Sequence, residues 1–180
     1  MKLPRCALFL LLLLLSAIAA AQEAPAGYSW QEFKPGRIAL LKPDGWHVKT
    51  ESRNGTQALF ITQEPIGPGG KFLTGLSLNY VTGIRGKAKV SSTEYARNFL
   101  AVAAERHPVL DSFAKPLAEG INGLGMRLRL ADGKPAIVHY FLLADDNADS
   151  LHLLFFEAPE AEWETAWKHG QVMLKGRTLD

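Results

Sequence analysis

The sequence predicts an α+β protein: an antiparallel sheet of about seven to eight strands with helices packed on it. Three observations carry that prediction. Strand-like segments succeed one another at hairpin spacing from Arg37 to Glu157, each bounded by Gly, Pro, Asn or Asp. Two long segments only, Ser92–Arg106 and the stretch after Pro159, carry apolar residues at helical spacing. Neither helix belongs to a repeating βαβ pattern, which argues against a doubly wound parallel sheet.

The chain opens with a segment that is not part of this sheet. Lys2 and Arg5 precede an almost wholly apolar run, Ala7 to Ile18, which ends at Ala19-Ala20-Ala21. A basic start, a short apolar run and a small-x-small site are the parts of a secretory signal peptide over residues 1–21, with cleavage after Ala21, or after Ala19. The run is about a dozen residues, short of the roughly 20 that span a bilayer. Residues 22–180 then form one domain of ordinary size. The formal charge of +2 comes from 20 basic and 18 acidic residues, and cleavage removes Lys2 and Arg5 but no acid. A neutral mature chain has no electrostatic footprint for nucleic acid or anionic membrane. The single cysteine, Cys6, precedes the apolar run, so it is not placed to carry a lipid, and it leaves with the signal. The mature domain therefore has no disulfide and no thiol chemistry.

The elements follow in order. Tyr28 to Phe33 is a first short element and Arg37 to Leu41 a strand, closed by the Pro43-Asp44-Gly45 turn. Trp46, Val48 and Thr50 alternate with His47 and Lys49, a strand that turns at Asn54-Gly55 into a second, Thr56 to Thr62. Ile66 to Lys71 is a loop, Phe72 to Val81 a long strand, and Thr82 to Val90 a basic loop. Ser91 with Glu94 three residues on makes a capping box, and Tyr95, Phe99, Val102 and Ala103 make the apolar stripe of the helix that follows. Val109 to Ala118 is a strand whose Pro116 suits an edge. Leu124, Met126, Leu128 and Leu130 alternate with Arg127 and Arg129; the next strands are Pro135 to Leu143 and Ser150 to Glu157, with turns at Asp132-Gly133 and Asp145–Asp149. Pro159 stands as a first helical residue. Trp163, Ala166, Trp167, Gly170 and Leu174 form one helix face, Gly170 admitting a close approach to the strand that ends at Phe156.

No catalytic motif is present, and no metal or cofactor site is expected. Asp145, Asn147 and Asp149 match the first ligand positions of a calcium loop, but Ser150 and Phe156 occupy the places that require Gly and Glu. His139 and His152 lie on strands joined by one hairpin, and a turn centred near residue 146 would place them roughly opposite, as two of the three ligands a zinc site needs. The glycines of 67–70 and 120–125 lack the order of a phosphate cradle and read as turns. Trp163 and Trp167 read as core packing rather than a ligand-stacking pair. Arg127 and Arg129 point the same way from one strand and are the best candidates for a binding face: two guanidiniums can clamp an anion, although a solvated face with cross-strand acids explains them too.

The order of elements resembles the PsbP-like group, which includes PsbP itself, a Ran-binding protein and many bacterial proteins. The likeness rests on the strand Arg37–Leu41 running into Pro43-Asp44-Gly45-Trp46, on the mid-chain helix Ser92–Arg106, and on the closing strand and helix of Ser150–Leu174. It implies an α/β/α sandwich, with helices on both faces of the sheet. It brings no function, since none of the group's metal or partner residues matches a position here. The expected role is that of a periplasmic, non-enzymatic binding or assembly protein with a protein partner. The alternatives are a small-ligand or lipid-like binder with a pocket between sheet and helix, walled by Trp46 or Trp163, and, more remotely, a metal-dependent hydrolase.

Overall fold

The alternation of the sequence becomes two antiparallel meanders joined along one seam. In the computed structural model the residues described are 23–53, 56–67, 71–130, 133–176 and 178–179. The signal peptide with its cleavage after Ala21, the Asn54-Gly55 turn, residues 68–70 and Asp132 lie outside them. The first meander is β3 (His47–Arg53), β4 (Thr56–Thr62) and β5 (Gly75–Thr82). The second is β6 (Val109–Ala118), β7 (Ile121–Leu130), β8 (Ala136–Asp145) and β9 (Ser150–Pro159). β5 pairs with β9, giving a seven-stranded sheet of order β3-β4-β5-β9-β8-β7-β6. β1 (Tyr28–Phe33) and β2 (Ile38–Pro43), with the two-residue β10 (Thr178–Leu179), leave this sheet and form a second small one. β6 is an outer strand, as Pro116 foretells, and its register slips just after Pro116 and just after Val109.

Helices cover both faces. On one face lie α1 (Ile84–Ala88) and α2 (Ser92–Arg106), where Ile84, Ala96 and Leu100 pack on Leu124, Leu142, Leu151 and Leu153. The cap of α2 forms as the sequence predicts: Glu94 N–H donates to Ser91 Oγ at 3.1 Å. Its buried side differs from the predicted stripe. Thr93, Ala96 and Leu100 face inward, while Tyr95 and Val102 remain 37% and 48% exposed. The small side chains let the helix seat closely, so the aromatics of the predicted stripe flank the contact. The basic stretch expected to be a loop contains α1, a single helical turn held from outside. Gly83 N–H donates to Asp149 O, Arg85 N–H to Asp149 Oδ1, and Arg85 Nη2 to Asp146 O.

The other face carries the larger core. Leu40 of β2, Leu59, Ile61, Leu76, Leu78, Leu154 and Phe156 are all fully buried, under β1–β2 and α3 (Trp163–Lys175). β9 runs on through Pro159, which pairs with Ala136, and a 3-10 turn over residues 160–162 precedes α3. Pro159 thus ends a strand rather than starting the helix; Glu160 N–H bonds back to Pro135 O, which holds the chain in the sheet for one more residue. Gly170 acts as predicted: a Cβ there would stand 2.9 Å from the Phe156 ring. Removing it lets α3 lie directly on the strand that leads into it.

Candidate functional site

β7 alternates, and its odd positions face α3. There Gly123, Gly125, Arg127 and Arg129 follow one another, opposite Lys115, Phe113 and Asp111 of β6 and His139 and Ile137 of β8. The two arginines proposed from sequence share this face but sit differently. Arg129 is exposed and pairs with Glu160 across 2.8 Å. Arg127 is half-buried and lies over the indoles, its guanidinium carbon 4.7 Å from the Trp167 ring centroid and 5.2 Å from that of Trp163. The indoles are themselves stacked, 5.0 Å apart and 13° from parallel. The three groups form a compact triangle, in which the ring quadrupoles hold the guanidinium against both indoles. Arg127 Nε is out of solvent and has no hydrogen-bond partner. Asp111 stands opposite Arg127 in the register, yet the two form no ion pair. The tryptophans divide between the readings made from sequence. Trp163 is core, 3% exposed, whereas Trp167 is half-buried and walls a groove. Trp46 packs at the edge of the same core against His169, away from this groove.

The groove runs between α3 and the β6–β8 margin of the sheet and encloses about 420 Å³. Its floor is Phe113, Phe141, His139 and Trp167, and Lys115, Arg127 and Lys175 bring positive charge to it; among the described residues no carboxylate lines it. Gly125 makes the floor. A Cβ there would come within 2.1 Å of the Phe113 ring, so only glycine lets that ring lie across β7 toward His139 and Phe141. The glycines of 120–125 are thus only partly turn residues, since Gly123 and Gly125 stand mid-strand. Spacing could not distinguish a glycine that turns from one that makes room for a ring.

His139 is 7% exposed, set between Phe113 and Trp167, with Nδ1 unpartnered. Burial first, and the Arg127 charge second, lower its pKa to about 4, so it is neutral at physiological pH. His152 is equally buried and its Nδ1 is likewise unpartnered, but its Nε2–H donates to Gly36 O at 2.6 Å. Burial lowers its pKa, and the Gly36 bond and Asp145 oppose that shift. The two histidines share a sheet face without meeting. Asp145 pairs with Ser150, so the turn centres beyond residue 147; His139 opposes Phe156 and His152 opposes Leu143. Four strand positions, about 13 Å, separate them. Among the described residues no three His, Cys, Asp or Glu side chains gather to hold a metal. The acidic turn has a different employment. Asp145 Oδ1 accepts from Asn147 and Ala148 N–H, Asp146 Oδ1 from Thr93 N–H at the start of α2, and Asp149 Oδ1 from Arg85 N–H of α1. Its carboxylates cap backbone donors and tie both helices to the β8–β9 turn.

No protein-family model and no curated protein sequence matches the chain. Solved structures do. Cyanobacterial PsbP (CyanoP) of Synechocystis sp. PCC 6803 superposes with a TM-score of 0.54 at 12% identity, over 92% of this chain and 99% of that one. LpqN of Mycobacterium tuberculosis, involved in cell envelope biogenesis, gives 0.54 at 17% identity, over 84% and 90%. The Ran-binding protein Mog1p of Saccharomyces cerevisiae gives 0.53 at 10% identity, over 84% and 95%. The chain has the PsbP/Mog1 fold. The α/β/α sandwich expected from the resemblance is therefore present, and at these identities the fold is what the likeness establishes. Among the described residues of this PsbP/Mog1-type chain, no helix is long and apolar enough to cross a membrane.

Proposed function

We propose that the chain is an exported, non-enzymatic binding protein of the periplasm, one domain over residues 22–180, which engages its partner through the groove beside α3 and the Arg127/Arg129 face. The observation that carries the reading is Arg127, seated against two indoles with an unpartnered Nε–H, in a groove that the described residues line with cations and rings and with no acid. A buried donor without a protein acceptor is what a binding site holds ready. Export rests on Lys2, Arg5, the apolar run and Ala19–Ala21. A binding or assembly role agrees with fold neighbours named for Ran binding and for cell envelope biogenesis. A small-molecule occupant is the second reading, favoured by a groove volume within the range of ligand pockets.

The test is site-specific photocrosslinking in the native host. A photoreactive residue replacing the exposed, groove-lining Gln171 should trap a defined partner, and the same residue at Glu105 on α2 should not. Equal trapping at both positions, or none at either, refutes the groove as the binding face. Sequencing the mature N-terminus tests export, with Gln22 expected first; a chain that keeps Met1 and stays in the cytoplasm overturns it.

A further inference from the structure

The geometry points to a small amphiphile, an alkyl or aromatic body ending in a single carboxylate or phosphate, as the occupant of the groove beside α3. This rests on the groove being the binding site and adds the chemistry it selects. Three features of the groove have to be met together. Its floor, Phe113, Phe141 and Trp167, is apolar and offers a bare ion little. Its charge is positive: Lys115, Arg127 and Lys175 face it, and even with Asp111 opposite Arg127 an excess of cations remains. Its polar atoms at depth are unpartnered, namely Arg127 Nε and Nδ1 of His139, the latter on a side chain more than nine-tenths buried. An anionic head accepts from Arg127, whose guanidinium already lies against the indoles, and the tail covers the rings. A cationic head meets repulsion, and a neutral alcohol leaves the lysines unanswered. Across the sheet, the groove lined by Tyr95, Phe99, Val102 and Tyr140 encloses about 400 Å³ and has a single permanent cation, Arg106. It is a built-in control of like size and different charge.

The experiment is titration of the mature protein with octanoate, octyl phosphate, octanol and acetate, followed by calorimetry and by the Trp167 indole N–H resonance, assigned with Trp167→Phe. Octanoate or octyl phosphate should shift that resonance, and octanol and acetate should bind at least about tenfold more weakly. Comparing the two anionic probes identifies the head. Lys115→Gln with Lys175→Gln changes two exposed side chains without disturbing the core. It should weaken octanoate several-fold and flatten its salt dependence while leaving octanol unchanged. Octanol binding as tightly as octanoate, or indifference to the double variant, overturns the anionic head. Shifts confined to Tyr95 and Phe99 overturn the location. If no probe binds, the amphiphile is refuted, and the Gln171 crosslink still decides separately whether the groove engages a protein.

Discussion

The two ends of the α3-side face hold the same residue in opposite circumstances. At one end β1, β2 and the turn between them roof the sheet, and His152 lies under that roof with Gly36 O as its acceptor. At the other end the roof stops. There α3 lies over β7 and β8, with Trp163 and Trp167 of its first turns against Arg127 and His139, and His139 is surrounded by rings and a guanidinium. Both side chains are 7% exposed, so burial alone does not separate them. The difference is in how each ring is held: Nδ1 is unpartnered in both, but His152 is tied to the roof through Gly36 O, whereas His139 has only rings and a guanidinium around it. The candidate site is the place where the roof runs out.

Substitutions and pH test that contrast. Leu40→Ala removes a fully buried side chain from the roof and should cost about 3 to 4 kcal/mol in urea unfolding. A loss under about 1 kcal/mol would mean that the roof contributes little. Acid should act next most strongly, and through the open end. The folded-state pKa of His139 is about 4 against an ordinary 6.5, so its contribution is fully present above pH 6.5 and is lost as pH falls from 6.5 toward 4. The loss should amount to about 3 kcal/mol, and His139→Gln should flatten the profile over that window. An unchanged profile would show His139 protonating freely in the fold. His152→Ala strands the Gly36 carbonyl and should cost about 2 kcal/mol at neutral pH. At the open end, Phe113→Ala removes a ring that is 38% exposed and should cost only about 1 kcal/mol, while enlarging the groove. Glu160→Gln breaks the exposed pair with Arg129 and should change stability by less than about 0.5 kcal/mol, which thermal unfolding can check.

The fold was legible where chemistry is local. Alternation located the strands, Ser91 with Glu94 started α2, Pro116 pointed to an outer strand, and Gly170 announced the close approach of α3 to Phe156. It was illegible where distant partners decide. α1 contains a glycine and is held by Asp146 and Asp149, more than fifty residues away. β1 and β2 carry ordinary strand patterns, and nothing in them says that they desert the main sheet. The register that keeps His139 from His152 depends on where one turn centres. Of the site, the arginine alternation was visible, but not that Arg127 would stack on tryptophans separated from it by two further strands and a turn. Gly125 was equally silent, since its reason for being glycine is Phe113 on the neighbouring strand.

The seam between β5 and β9 has a kinetic consequence. Each meander closes through local connections, but Val81 meets Leu151 only after the 69 residues between them have been gathered. Loop closure of that length must be met before the seam's contacts reward it, so zipping β5 onto β9 is expected to set the folding rate. Leu154→Ala, at the seam, should slow refolding in a chevron experiment, whereas Val48→Ala, on the far edge strand, should act on unfolding alone. The reverse assignment would mean that the halves do not assemble before they join. The protein is in this sense a two-part molecule with a late zipper.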